Sequence, residues 1–186
     1  MWLILCIISM FLLIVIICGH TLENEYKDID KVKVIQKNKE NLKQIEKLIW
    51  RLDGFQFEEF CSMLFSLKGI KNDLTSKTGD GGKDIILRTD EGKVYVECKH
   101  YSPKNLVSNP LIMKLIGSCT VDNINKAIFI TTSGYSRDAI NTIDSCKSVE
   151  IERYYMNDLL EMCKLNTGYV LNWLYQRVWQ KPLLFK

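Results

Sequence analysis

The chain has 186 residues, 47% of them hydrophobic and 25% charged, with a formal net charge of +3. That length holds one domain and a short extra element, and that composition excludes an intrinsically disordered chain. The seven cysteines are scattered, with no C-x-x-C pair and no Cys/His cluster, which suggests neither a zinc site nor a disulfide framework and suits a reducing compartment.

In chain order, Trp2 to Cys18 is an unbroken apolar run, and no charged side chain precedes Glu23. As a helix it would measure about 26 Å, near the short end of what crosses a bilayer. No Lys or Arg precedes the run and no small-x-small cleavage site follows it, against a signal peptide. Bulky Ile17 before Cys18 argues against a lipoprotein signal. The expectation is an uncleaved transmembrane anchor over residues 1–19, inserted in the membrane through residues 2–18. Lys27, Lys31, Lys33, Lys37 and Lys39 come after it, and the positive-inside rule then places the remainder in the cytoplasm of a single-pass cell-membrane protein.

Residues 20–53 form a charged segment in which Ile35, Leu42, Ile45, Ile49 and Leu52 recur at helical spacings. The expectation is a solvated helical linker, with a stalk, a short coiled coil or a helix packed on the domain as alternatives. A second helix is predicted from Phe57 to Leu67, ended by Gly69. After the turn-rich stretch Thr78 to Gly82, strands are predicted over Asp84–Arg88 and Val94–Tyr101, joined as a hairpin. Asn109 is read as the cap of a helix with Pro110 at its first position, running to about Cys119. A buried strand over Ala127–Thr132 follows, then a helix capped by Ser136 and running to about Ile143. A weaker strand over Val149–Arg153 and a helix capped by Asn157 through Leu165 complete the domain. The aromatic tail over residues 166–186, with Tyr169, Trp173, Tyr175 and Trp179, is read as a helix packed on the domain rather than one lying on a membrane. Strands in a hairpin first and a crossover afterwards predict an α/β sandwich with a mixed sheet.

Alternation along the second hairpin strand puts Tyr95, Glu97, Lys99 and Tyr101 on one face and Val94, Val96, Cys98 and His100 on the other. Asp84 opens the partner strand, so the hairpin can set its carboxylate beside Glu97. Two carboxylates converging with one lysine make a site for Mg²⁺, a hard cation that prefers oxygen ligands. A surface ion pair between Glu97 and Lys99 is the plainer alternative. Gly81 and Gly82 leave the backbone uncovered just before Asp84, which suits close approach by a polyanion, although a tight turn explains them as well.

From Gly54 to Leu165 the chain resembles the Mrr-type restriction endonuclease domain, a branch of the PD-(D/E)xK nuclease superfamily. The resemblance rests on ordered pieces: Phe57-Glu58 with Leu64, Phe65 and Gly69; Gly79-Asp80-Gly81-Gly82-Lys83-Asp84; Val96-Glu97-Cys98-Lys99-His100-Tyr101; Val107-Ser108-Asn109-Pro110 with Leu115-Ile116-Gly117; and Ile128 to Ser136 with Ala139. It implies a restriction-endonuclease-like α/β/α sandwich, here preceded by one transmembrane helix. It also implies a Mg²⁺-dependent deoxyribonuclease, with Mn²⁺ able to substitute, acting on double-stranded DNA in restriction or defence against foreign DNA.

Carried over by position, Asp84 and Glu97 would bind the metal, with the Cys98 carbonyl a further ligand. Lys99 would orient or deprotonate the attacking water, and Glu58 would support the site from its helix. Asp80, Gly81, Gly82 and His100 would lie beside the site or near DNA. The competing readings are a catalytically inactive DNA-binding tether at the membrane and a junction-resolvase-like nuclease. A homo-oligomer is compatible with either, and DNA specificity stays open.

Overall fold

The computed structural model describes residues 33–75 and 82–179. The expected anchor therefore lies outside the described residues, as do Asp80 and Gly81. Among the described residues, no helix is long and apolar enough to cross a membrane. The chain divides into two units, Met1–Glu40 and Asn41–Lys186. In the first, residues 33–40 are helical and Val34 and Ile35 are exposed.

The second unit opens with helix α1 over residues 41–49. Here the expected solvated linker is corrected. Ile45, Leu48, Ile49 and Leu52 are at most 5% exposed and belong to the same core as the sheet. Their spacing of three, one and three is the stripe of a helix lying against a domain, so the alternative of a packed helix is the one realised. Helix α2, Gly54–Leu67, follows after a sharp turn. Asp53 caps it, accepting from the Gln56 N–H at 2.9 Å, while Gln56 Oε1 accepts from the Asp53 N–H at 3.0 Å. This reciprocal pair starts the helix three residues before the first apolar position of its stripe.

A five-stranded sheet carries the order β1-β2-β3-β4-β5, with β1 Lys71–Leu74, β2 Ile85–Thr89, β3 Gly92–Lys99, β4 Lys126–Thr131 and β5 Glu150–Tyr154. The first three are antiparallel and β3, β4 and β5 are parallel, so the sheet is mixed as expected. Strand β1 was not foreseen. Its Lys-Asn-Asp-Leu sequence is mostly exposed and has a single apolar residue, the polar make-up of a protected edge rather than of a recognisable strand.

Helices α3, Asn109–Val121, and α4, Arg137–Ser145, make the parallel crossovers, followed by α5, Met156–Cys163, and α6, Thr167–Trp179. Two helix starts differ from expectation. Ser108, not Asn109, is the cap of α3, and Pro110 falls within the first two helical positions, where a missing N–H costs nothing. The cap of α5 is Tyr155, because Asp158 Oδ2 accepts from the Tyr155 N–H at 2.7 Å and draws the start two residues before Asn157.

Two cores flank the sheet. Val94, Val96 and Cys98 pack with residues of α1, α2, α5 and α6, while Tyr95 and Phe129 pack with residues of α3 and α4. The alternation read along β3 is thus realised as the two faces of an α/β/α sandwich. Helix α6 buries Val170, Leu174 and Val178 on the first core. Its rim is tied by Gln56 Nε2 donating to the Arg177 carbonyl at 3.1 Å and by Arg51 over the Trp179 ring at 4.7 Å. Over its described residues, Thr167–Trp179, the tail is a packed helix.

Candidate active site

The hairpin places Asp84, Glu97 and Lys99 together. Asp84 sits just ahead of β2, where its N–H donates to the Val96 carbonyl at 2.7 Å, and its Oδ2 accepts from the Cys98 N–H at 2.7 Å. Both bonds hold the carboxylate against the middle of β3. Glu97 is flanked on the other side by Phe129 of β4, and a central strand buried on both faces leaves it 3% exposed. A surface ion pair is thereby excluded, since both carboxylates are buried.

Lys99 Nζ lies 2.5 Å from Glu97 Oε1, 3.9 Å from Asp84 Oδ2 and 3.1 Å from the Cys98 carbonyl oxygen. One ammonium therefore faces three oxygens from three residues. The second oxygen of Glu97, Oε2, is buried without a hydrogen-bond partner. A buried polar atom left unpaired is costly, and a cation held beside Asp84 and Glu97 would satisfy it. Burial, then the Asp84 charge, raises the Glu97 pKa above the ordinary carboxylate value, against the opposing pull of Lys99 and Lys114. Burial works against the Lys99 ammonium, but Glu97 and Asp84 outweigh it and its pKa is raised. Without another cation the lysine stays charged and the pair of carboxylates is under-compensated.

Threonines at the end of β4 fasten the strand end that carries Lys99. Thr131 Oγ1 donates to the Lys99 carbonyl at 3.0 Å, and Thr132 Oγ1 bonds both the Tyr101 N–H and its carbonyl at 2.9 and 2.7 Å. These side chains satisfy backbone groups at the strand end. Cys98 points into the opposite core, also as expected.

The remaining candidates fall differently. Glu58 is half-buried on α2, the helix that packs across β3. His100 is turned to the other face of the sheet: its Nε2 lies 3.0 Å from the Ile49 carbonyl, and its ring packs at 6.0 Å from Trp50 and 5.1 Å from Phe57. Burial lowers its pKa, so the neutral ring serves as a joint between α1 and β3. Gly82 has φ +87°, which explains the glycine, but its backbone is buried rather than uncovered. The side-chain stem of Lys114 lies over it.

Sequence reasoning placed Lys83 in a motif and Tyr95 on the Glu97 face, but passed over Ser118, Asp122 and the cluster the four form. Lys83 Nζ lies 2.8 Å from Asp122 Oδ2 and 3.3 Å from Ser118 Oγ, and Tyr95 donates to the same Asp122 oxygen at 2.7 Å. This cluster ties the residue next to Asp84 to α3. The signal was the polar i, i+4 spacing of Ser118 and Asp122 at the end of α3.

Comparison with known proteins agrees with this architecture. The restriction endonuclease family Mrr_cat matches residues 49–163. The chain is 33% identical over 82 residues to the type IV methyl-directed restriction enzyme EcoKMrr of Escherichia coli K12, covering 41% of this chain and 26% of that one. It is 25% identical over 136 residues to the uncharacterised protein y4cE of Sinorhizobium fredii, covering 71% of this chain and 33% of that one. The chain thus spans about a quarter to a third of these relatives. Among solved structures, the DNA modification-dependent restriction endonuclease AspBHI superposes with a TM-score of 0.57 at 20% identity, covering 72% of this chain and 38% of that one. MspJI restriction endonuclease in complex with a 27-mer oligonucleotide gives 0.54 at 22% identity, with 76% and 35% covered. Together with the family match over more than half of its length, the sheet order and the placement of Asp84, Glu97 and Lys99 make this chain a member of the Mrr_cat restriction endonuclease family.

Proposed function

We propose that the chain is a metal-dependent DNA endonuclease held at the membrane, hydrolysing phosphodiester bonds in restriction of foreign DNA. The observation that carries the reading is the trio of buried oxygens from Asp84, Glu97 and Cys98 gathered around one lysine, with Glu97 Oε2 unpaired. Hard oxygen donors of this kind fit Mg²⁺, and Mn²⁺ by the same chemistry. Asp84, Glu97 and the Cys98 carbonyl would hold it. When bound, such an ion supplies charge to the phosphoryl oxygens and lowers the pKa of water.

The protein's own groups do the rest. Asp84 is oriented by the Cys98 N–H, so its carboxylate does not need to reorganise. Lys99, kept charged by its neighbours, acts as a donor that orients the attacking water and offsets negative charge, rather than as a base. The water oxygen forms the new bond to phosphorus and gives up a proton to solvent, one ester P–O bond breaks, and the leaving oxygen takes a proton from solvent. Recognition of double-stranded DNA mainly through phosphates is supported by exposed lysines such as Lys104, which position without reading sequence.

Plasmid cleavage by the purified full chain, with Mg²⁺ or EDTA, tests this reading. Nicked and linear products are expected with Mg²⁺ only, and on duplex in preference to a four-way junction. Failure to cut any DNA while binding it would turn the reading to a tether. Membrane attachment is supported by the uncharged run from Trp2 to Cys18 and the lysines that follow. A reporter fused after Lys186 is expected to be active only if it is of the cytoplasmic kind; a shorter form released into the medium would overturn the anchor.

A further inference from the structure

Helix α3 runs alongside the segment that delivers Asp84. Two of its side chains, Lys114 and Ser118, and that of its C-cap, Asp122, recur at i, i+4 and i+8 and therefore share one face. Ser118 and Asp122 grip Lys83. One turn nearer the start of the helix, about 6 Å along its axis, Lys114 lies over the preceding residue. A Cβ built on Gly82 would stand 2.9 Å from Lys114 Cγ and Cε and 3.0 Å from Cδ. The stem is thus laid flat on the glycine, two residues from Asp84, although the residue as a whole remains exposed.

Resting on the nuclease reading, we propose that Lys114 is a further catalytic residue, contacting the phosphate at the reacting bond. Its stem lies beside the segment that delivers Asp84. Its stem is set on the turn beside Asp84 rather than extended into solvent, where an exposed helix lysine usually stands. The charge arrangement gives it the task. Lys99 is committed to Glu97 and the Cys98 carbonyl, whereas attack on a phosphodiester raises the negative charge on the phosphoryl oxygens from one to two. A second cation placed beforehand at that position stabilises the transition state without reorganising. Gly82 has a second role here, beyond its backbone angle: any side chain at this position would lift Lys114 away.

The test compares K114M and K114R with the unchanged full chain. Single-turnover cleavage at saturating duplex with Mg²⁺ is the first measurement. Duplex binding across a salt series with Ca²⁺ in place of Mg²⁺ is the second, and a thermal melt the third. K114M is expected to cleave about 10²-fold more slowly, with a change of no more than about threefold in binding at moderate salt and an unchanged melt. K114R should recover most of the rate, because it restores a cation at the same place. Cleavage by K114M at the wild-type rate overturns the proposal. A deficit that disappears as DNA is raised also overturns it, since Lys114 would then be a phosphate contact away from the reacting bond. So does a lowered melt that K114R restores without restoring the rate. If the unchanged chain cuts no duplex in Mg²⁺ or Mn²⁺, the nuclease reading itself has failed and Lys114 falls with it.

Discussion

Asp84→Asn is expected to leave a folded protein that no longer cleaves DNA and no longer takes up Mg²⁺ in a titration. The asparagine oxygen can still accept from the Cys98 N–H, so the local fold keeps its tie. What it loses is a full negative charge from the cation's ligand set, and like-charge pressure on Glu97 falls with it. Its melt in EDTA should therefore match or exceed that of the unchanged chain. Lys99→Ala should separate the roles. Cleavage is expected to slow by about 10²–10⁴-fold, the scale of a lost proton-transfer or water-orienting group. Metal affinity should hold or rise, because the ammonium that shares Glu97 Oε1 and the Cys98 carbonyl has gone. Lys99 is not an isolated surface lysine, and removing one partner of a buried pair is destabilising. Its variant should melt lower in EDTA and recover on adding Mg²⁺. Wild-type cleavage by a folded Lys99→Ala protein would remove the nuclease mechanism and favour the tether.

The catalytic trio was legible because it is local. Period-two alternation over eight residues of β3 and a short hairpin fix the relative positions of Asp84, Glu97 and Lys99, and no long-range packing needs to be known. The crossover helices and their strands were legible for a similar reason, since Ser136 and Pro110 mark their starts chemically. Other features depended on partners far along the chain. His100 reads as a residue beside the site until Ile49, fifty-one positions earlier, is seen to hold its ring. Lys114 reads as one more solvated helix charge until Gly82 is found beneath it. Strand β1 has too little apolar character to announce itself, and exists because β2 offers it a ladder. In each case the deciding contact lies between segments, where local periodicity carries no signal.

A chain beginning at Gly54 is expected not to fold, whereas one beginning at Asn41 should. The boundary read from the sequence lies at residue 54, and the family match starts at residue 49, yet α1 belongs to the core. Ile45, Leu48, Ile49 and Leu52 are buried to between 0 and 5% exposure. Burying each such side chain contributes about 1.5–3 kcal/mol, so the four together approach the roughly 5–15 kcal/mol by which a whole domain is stable. The truncation also removes the Asp53 cap, worth about 1 kcal/mol, and leaves His100 without the Ile49 carbonyl. Since His100 follows Lys99 directly, any remaining structure would hold the catalytic strand end less firmly. Circular dichroism melts of the two fragments decide the matter. The longer should show a cooperative transition, and the shorter a broad or absent one with aggregation on expression. A sharp transition for residues 54–186 within a few degrees of the longer fragment would return α1 to the status of a spacer. Ile49→Asp in the longer fragment offers an independent reading, because it keeps the helix backbone and the cap and alters only the buried face. It should lower the melt steeply while an exposed change such as Lys47→Asp, on the opposite face of α1, should leave the melt nearly unchanged.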